Sequence, residues 1–166
     1  HAAAMAIDCA EPMSIYNLLA GAINYYEGVP FMDLSPFQLY PEWSLDKVSY
    51  DQATYFYPYG AGLWLLFLDE RFGTKDGKLI AQLWSATSQD GSMLPPGFYS
   101  ADVENEPDLF DAIDTALRSR GSSFDEAYSE FGAWRFLTGA SSDRHHFAEG
   151  DTFPEVAVAN QHSGSE

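Results

Sequence analysis

Four glycines divide this chain into helix-length segments, and their spacing limits its fold more than any other feature of the sequence. Gly28, Gly73, Gly121 and Gly139 each follow a stretch that carries the signals of a helix. Glycine is common just beyond the last helical residue because it adopts positive φ angles without strain. The alternating apolar patterns typical of β-strands are scarce in the rest of the chain. The sequence therefore predicts a mainly α-helical fold.

We expect a single domain over residues 1–158, built from five or six helices with long irregular loops, and a frayed polar tail at 159–166. The segment 29–48 holds three prolines and no sustained period, so it is expected to be irregular. The predicted helices cover residues 2–10, 14–27, 49–72, 76–89, 106–121 and 122–139.

The helix predicted at 49–72 has a start signal, an interruption and a region of small residues. Ser49 and Gln52 fit a capping box, in which each side chain bonds the backbone N–H of the other residue. Pro58 is expected to break or restart this helix. The Gly-Ala-Gly run at 60–62 leaves room for a neighbouring helix to approach closely.

The charge of the chain excludes several classes of partner. There are 25 Asp and Glu residues against 8 Lys and Arg residues, which gives a formal net charge of −17. Such a field repels phosphate backbones and anionic lipid, so we expect neither nucleic acid nor a membrane as a partner. Cys9 is the only cysteine, which excludes an intramolecular disulfide and a cysteine-rich metal site.

Histidines and tyrosines supply two further candidate sites, each with a simpler alternative. In "DRHHFAEGD", His145 and His146 precede Glu149, and a mixed metal site would be possible if this stretch were helical. Gly150 and Pro154 favour a loop instead. The tyrosines of two segments could form an aromatic platform or simply pack in the core: Tyr25, Tyr26, Tyr55, Tyr57 and Tyr59.

His1 and Glu27 are the candidate metal ligands. Zinc hydrolases of the gluzincin kind place two histidines on one helix as H-E-x-x-H and take a third, carboxylate ligand from the next helix. A helix beginning at His1 and a second ending near Glu27 would match part of this pattern. Two other origins of His1 remain open: a purification-tag remnant with Met5 as the start, or a mature N-terminal histidine that chelates copper.

Four stretches in order carry a resemblance to a known family. "HAAAMAID" resembles the second half of an H-E-x-x-H-x-x-x-M-A-x-D helix, and "LAGAINYYEGVPF" resembles the helix E-A-S-A-x-W-x-E-x-x-x-x-P. "YPYGAGLWLLFLDERFG" is similar to Y-x-Y-G-x-x-x-F-x-x-Y-L-x-E-x-Y-G, and "FDEAYSEFGAWRFLTG" with "DRHHFAEGDTFPEV" to the closing F-x-x-W-x-x-x-T-G and Y-P-x-V segments. Together they resemble the C-terminal, helical part of secreted zinc metalloproteases of myxobacteria and their relatives.

This resemblance implies a metallopeptidase-like helical domain, secreted or in the cell envelope, with His1 as the second zinc histidine. The first histidine and the catalytic glutamate would lie upstream, so we expect the chain to be catalytically incomplete unless an upstream H-E-x-x is supplied. One alignment places Ala20 at the metal-binding glutamate, and a shifted one makes Glu27 the ligand. Alanine cannot ligate zinc.

The alternative function is a non-catalytic peptide- or glycan-binding module of an extracellular protein. Its ligand would lie in a cleft between helices 14–27 and 58–72, in a groove lined by Tyr26 and Tyr59. The expected partners are a peptide or protein and, if the chain is a fragment, a missing N-terminal segment.

Overall fold

The structure, a computed structural model, describes residues 11–28, 34–87 and 107–157. Within these ranges the chain is mainly helical and has no strand, which confirms the predicted fold class. Six of the α-helices there are longer than a single turn, as expected. None of them is long and apolar enough to cross a membrane. The helices are α1 (Met13–Tyr26), α2 (Leu34–Leu39), the single turn α3 (Tyr57–Gly60), α4 (Leu63–Phe72), α5 (Lys78–Ala86), α6 (Leu109–Arg118) and α7 (Phe124–Phe136), with short 3₁₀ helices at Gly139–Ser141 and Gly150–Thr152.

Helix α4 is the centre of the core. Its first six residues, 63–68, are at most 1% exposed, so the helix is covered on every side. Trp64 and Phe67 stack at 5.4 Å, and Phe67 meets the edge of Trp134 on α7 at 5.0 Å. Helices α1, α5 and α7 all pack against α4. This arrangement places α1 and α5 on neighbouring sides of one buried helix.

Helix α1 crosses the α3–α4 region with backbone against backbone. A Cβ added at Gly21 would overlap the carbonyl of Tyr59, and one added at Gly62 would lie 2.6 Å from the amide nitrogen of Ala22. Only glycine fits at both positions. The close approach expected from the small residues 60–62 is therefore confirmed, and the neighbour is α1.

Glycines end the helices largely as expected. Gly28 and Gly121 have φ angles of 76° and 79°, the left-handed conformation of a glycine helix cap. Gly139 also has a positive φ, 58°, but α7 already ends at Phe136 and Gly139 begins the following 3₁₀ helix, so its predicted role at the end of α7 is wrong. Gly73 also ends its helix, but its φ is −107°. There glycine is required for space, because a Cβ would overlap the carboxylate of Asp69.

The capping box predicted at Ser49 is wrong. The Ser49 hydroxyl lies 2.6 Å from that of Thr54 and accepts a bond from the Asp51 backbone N–H, and residues 51–56 form turns. These local side-chain bonds compete with the helical ladder, so the helix starts only at Tyr57, with Pro58 in its first turn. At the start of α7, by contrast, the Ser123 hydroxyl does accept a bond from the Glu126 N–H at 3.3 Å, as an N-capping serine does.

The segment expected to be irregular contains helix α2. This helix is six residues long, and Leu34, Phe37 and Gln38 are buried in it. Its Pro36 lies within the first turn, where backbone N–H groups have no helical partner and a proline is tolerated. A helix this short does not span enough turns to produce a visible apolar period. The predicted helix at 2–10 and the tail at 159–166 lie outside the described residues.

Candidate functional site

A groove of about 300 Å³ runs between helices α1 and α5. Leu19, Ile80 and Trp84 form its floor and are only 3%, 4% and 3% exposed. Ile23 on α1 and Ala81 on α5 form its exposed walls. Ile23 is 45% exposed, so a branched apolar side chain faces solvent across an apolar floor.

The two ends of the groove are fixed by different contacts. At one end Trp84 meets the edge of Tyr16 on α1, with ring centroids 5.7 Å apart. At the other end the Tyr26 ring lies against Gly77, whose φ of 77° turns the chain into α5. A Cβ at Gly77 would come within 3.5 Å of this ring. Helices α1 and α5 therefore run in opposite directions along the groove.

Asp69 joins the Tyr26 end of the groove to the start of α5. Its wholly buried carboxylate accepts bonds from the Tyr26 hydroxyl at 2.7 Å, the Gly77 N–H at 2.9 Å and the Leu79 N–H at 3.3 Å. Burial, followed by the hydrogen bond to Asp69, raises the pKa of Tyr26 well above its usual value. Tyr26 therefore remains a neutral hydrogen-bond donor. The sequence signal for Asp69 is an acid that directly follows the buried apolar run 63–68 of α4.

Two exposed carboxylates, Glu27 and Asp76, line the same end of the groove. Asp76 forms an ion pair with Lys78 and accepts a bond from the Thr74 hydroxyl at 2.6 Å. These contacts, with that of Lys78 the largest, lower the pKa of Asp76 to about 2. Glu27 has no ion-pair partner within the described ranges.

Only one of the two predicted zinc ligands lies among the residues that the structure describes. His1 lies outside the described residues, and Glu27 stands at the end of α1, on the rim of the groove. Among the residues that the structure describes, no three His, Cys, Asp or Glu side chains are grouped to hold a metal ion. This part of the chain supplies one carboxylate of the predicted set and does not by itself fit zinc, so the zinc site stays a prediction.

Of the two predicted groove tyrosines, only Tyr26 lines the groove between α1 and α5. Tyr26 lines the groove beside α5, whereas Tyr59 lies outside it and faces the ring of Phe56 at 6.0 Å. The cleft expected between 14–27 and 58–72 is closed at the glycine crossing described above. Tyr57 is wholly buried, so core packing applies to this tyrosine.

The "DRHHFAEGD" stretch is a loop of bends and turns, as Gly150 and Pro154 indicate. His146 Nδ1 lies 2.8 Å from Asp143, and its ring meets the edge of Trp134 at 4.9 Å. The hydrogen bond from His146 is the largest of the effects that lower the pKa of Asp143 to about 2. These side chains bind each other and the loop.

Two buried charges outside the groove hold distant segments together. Arg135 donates to the carbonyl of Phe37 at 2.7 Å and to Gln38 Oε1 at 3.1 Å, and its guanidinium lies 4.0 Å from the centre of the Phe37 ring. Glu70 accepts the Ala148 N–H at 2.9 Å, and burial raises its pKa. Arg135 therefore holds α2 to the core, and Glu70 holds the 142–153 loop to it. Neither residue lines the groove.

Comparisons of this chain with protein-family models, with curated proteins and with solved structures give no match. The resemblance to gluzincin-like metalloproteases therefore stays a prediction, and the groove is the basis on which a function is proposed.

Proposed function

We propose that this domain is a binding module that takes an apolar segment of a peptide or protein in the groove between α1 and α5. The observation that carries the proposal is an apolar cleft of about 300 Å³ with a rim that has both apolar and charged groups. Ligand sites typically have volumes of about 300–1,000 Å³, mostly apolar linings and a few polar groups that fix orientation.

A peptide suits this groove better than a glycan. Sugar rings stack on aromatic faces that are open to solvent, whereas Trp84 is only 3% exposed at the floor. The open surface above Trp84 belongs to Ile23 and Ala81, which offer aliphatic contacts. Burying one large apolar side chain contributes about 1.5–3 kcal/mol, so a leucine or phenylalanine side chain is the expected anchor.

The proposal is tested with a dye-labelled, amidated peptide that contains Leu-Phe and no charged residue, its binding measured by fluorescence anisotropy. Ala81→Phe places a ring in the groove from an exposed position and should weaken binding about tenfold or more, the loss of one apolar anchor. Gln82→Phe is the matched control, because residue 82 is exposed on the same helix and does not line the groove. It should leave the affinity unchanged.

Three outcomes would overturn the proposal. The first is that the wild-type chain does not bind the peptide. The second is that Ala81→Phe and Gln82→Phe lower the affinity for the peptide equally. The third is displacement of the peptide by cellohexaose, which would indicate a sugar site instead. Circular dichroism melting of both variants verifies that each remains folded.

A further inference from the structure

We infer that the peptide carries a lysine or arginine beside its apolar anchor and that this cation binds at Glu27. The inference rests on the proposed function and names the ligand class of that same groove. The electrostatics of the groove end at which α1 stops and α5 begins support it.

Glu27 is the C-cap of α1, at the negative end of the helix dipole. The last turn of α1 contains no basic residue, so nothing in this helix offsets the partial negative charge of its terminal carbonyls. A cation is stabilised at such an end, and the Glu27 carboxylate adds a full charge there. The neutral ring of Tyr26, one residue earlier, gives the cation an aromatic neighbour.

The lysine that follows the groove residue Gly77 is already committed. Lys78 is paired with Asp76, and the pairing raises the pKa of Lys78. The N-terminus of α5 is compensated by the buried Asp69, which accepts from Gly77 and Leu79. Glu27, without an ion pair in the described residues, is the carboxylate left for a ligand.

The charge of the whole chain favours the same ligand. A formal net charge of −17 attracts cationic peptides and repels acidic ones over a distance set by the ionic strength. This long-range attraction is not specific to any one site. The local contribution of Glu27 therefore has to be separated from it in the experiment.

The experiment uses three labelled peptides that differ at one position, next to the Leu-Phe anchor, where they carry lysine, glutamine or glutamate. We expect the lysine peptide to bind most tightly and the glutamate peptide least tightly. The lysine-over-glutamine preference should be about two- to five-fold, as for an exposed ion pair, and should fall at high salt.

Glu27→Gln keeps the shape of the side chain and should remove most of this preference, leaving only the part that the net charge supplies. Glu126→Gln is the matched control: it removes one exposed carboxylate from α7, away from the groove, and should keep the preference. Equal affinity of wild-type protein for the lysine and glutamine peptides overturns the inference and leaves the proposed function intact. If Glu27→Gln and Glu126→Gln reduce the lysine-over-glutamine preference equally, the inference is also overturned, because the preference would then come from the net charge. If none of the peptides binds, the proposed function itself fails.

Discussion

Helix α1 packs against α3 and α4 in one way and against α5 in the opposite way. Against α3 and α4 it is in backbone contact through Gly21 and Gly62. Against α5 the contacts are side chains at the two ends, Tyr26 on Gly77 and Tyr16 on Trp84, and a groove of about 300 Å³ lies between. Small residues close one interface, while large aromatic residues hold the other apart. The closed interface fixes the position of α1, and the open one is available to a ligand.

The largest expected effect is at the closed interface. Gly21→Ala places a methyl group on the Tyr59 carbonyl, and the backbone there cannot move without shifting the whole crossing. We expect a loss of about 3 kcal/mol in the free energy of unfolding, the upper range for overpacking. Gly132→Ala in α7 is the control, since nothing lies within 4 Å of its added Cβ. It should stabilise the chain by up to about 1 kcal/mol through helix propensity. Urea unfolding measures both, and a Gly21→Ala chain as stable as wild type would contradict the closed crossing.

A smaller effect is expected at the tyrosine end of the open interface. Tyr26→Phe removes the 2.7 Å hydrogen bond to Asp69 and leaves a buried carboxylate with one donor fewer. The expected loss is about 1–2 kcal/mol in the free energy of unfolding. Tyr50→Phe is the control and should change nothing, because Tyr50 is 92% exposed. Equal stability of the two variants in urea would show that Asp69 does not hold this end of the groove.

The smallest effect is a dependence on pH at the same end. The pKa of Asp76 is depressed to about 2, so its ion pair stabilises the fold above the ordinary value of 3.8 and this contribution is lost as the pH falls toward 2. Asp76→Asn should therefore lower the Tm near neutral pH. The difference in Tm between this variant and the wild type should shrink as the pH falls from 3.8 toward 2. Asp46→Asn, on an exposed loop, should follow the wild-type pH profile. A constant difference between Asp76→Asn and wild type at every pH would contradict this role.

The sequence predicts helices well where the signal is local. The capping bond of Ser123 and the glycines at 28 and 121 act within one turn of the chain, so their chemistry is readable from the residues alone. Ser49 has the same residue type, yet it bonds Thr54 and Asp51 instead of starting a helix. Side-chain bonds within the turn compete with helix formation in that segment, and a capping pattern in the sequence does not reveal this competition.

The position of the groove depended on contacts between distant segments. The small residues at 60–62 indicate close packing, and this segment meets 14–27 backbone against backbone, which leaves no room for a ligand at the crossing itself. The two sequence predictions were therefore in conflict, and Gly21 was the missing partner. Tyr26 and Glu27, at the end of α1, nevertheless both line the groove that lies between α1 and α5. Nothing in the sequence pattern pairs α1 with α5, because the contacts of Tyr16 with Trp84 and of Tyr26 with Gly77 join residues that are far apart in the chain.

The most direct test of the open interface is the response of isoleucine methyl groups to the lysine peptide in NMR spectra. Ile23 and Ile80 line the groove, whereas Ile15 and Ile113 are buried in the core at 3% and 0% exposure. A peptide bound in the groove should shift the Ile23 and Ile80 signals on titration and leave those of Ile15 and Ile113 in place. Unchanged Ile23 and Ile80 signals, or equal shifts at all four residues, would contradict a binding groove between α1 and α5.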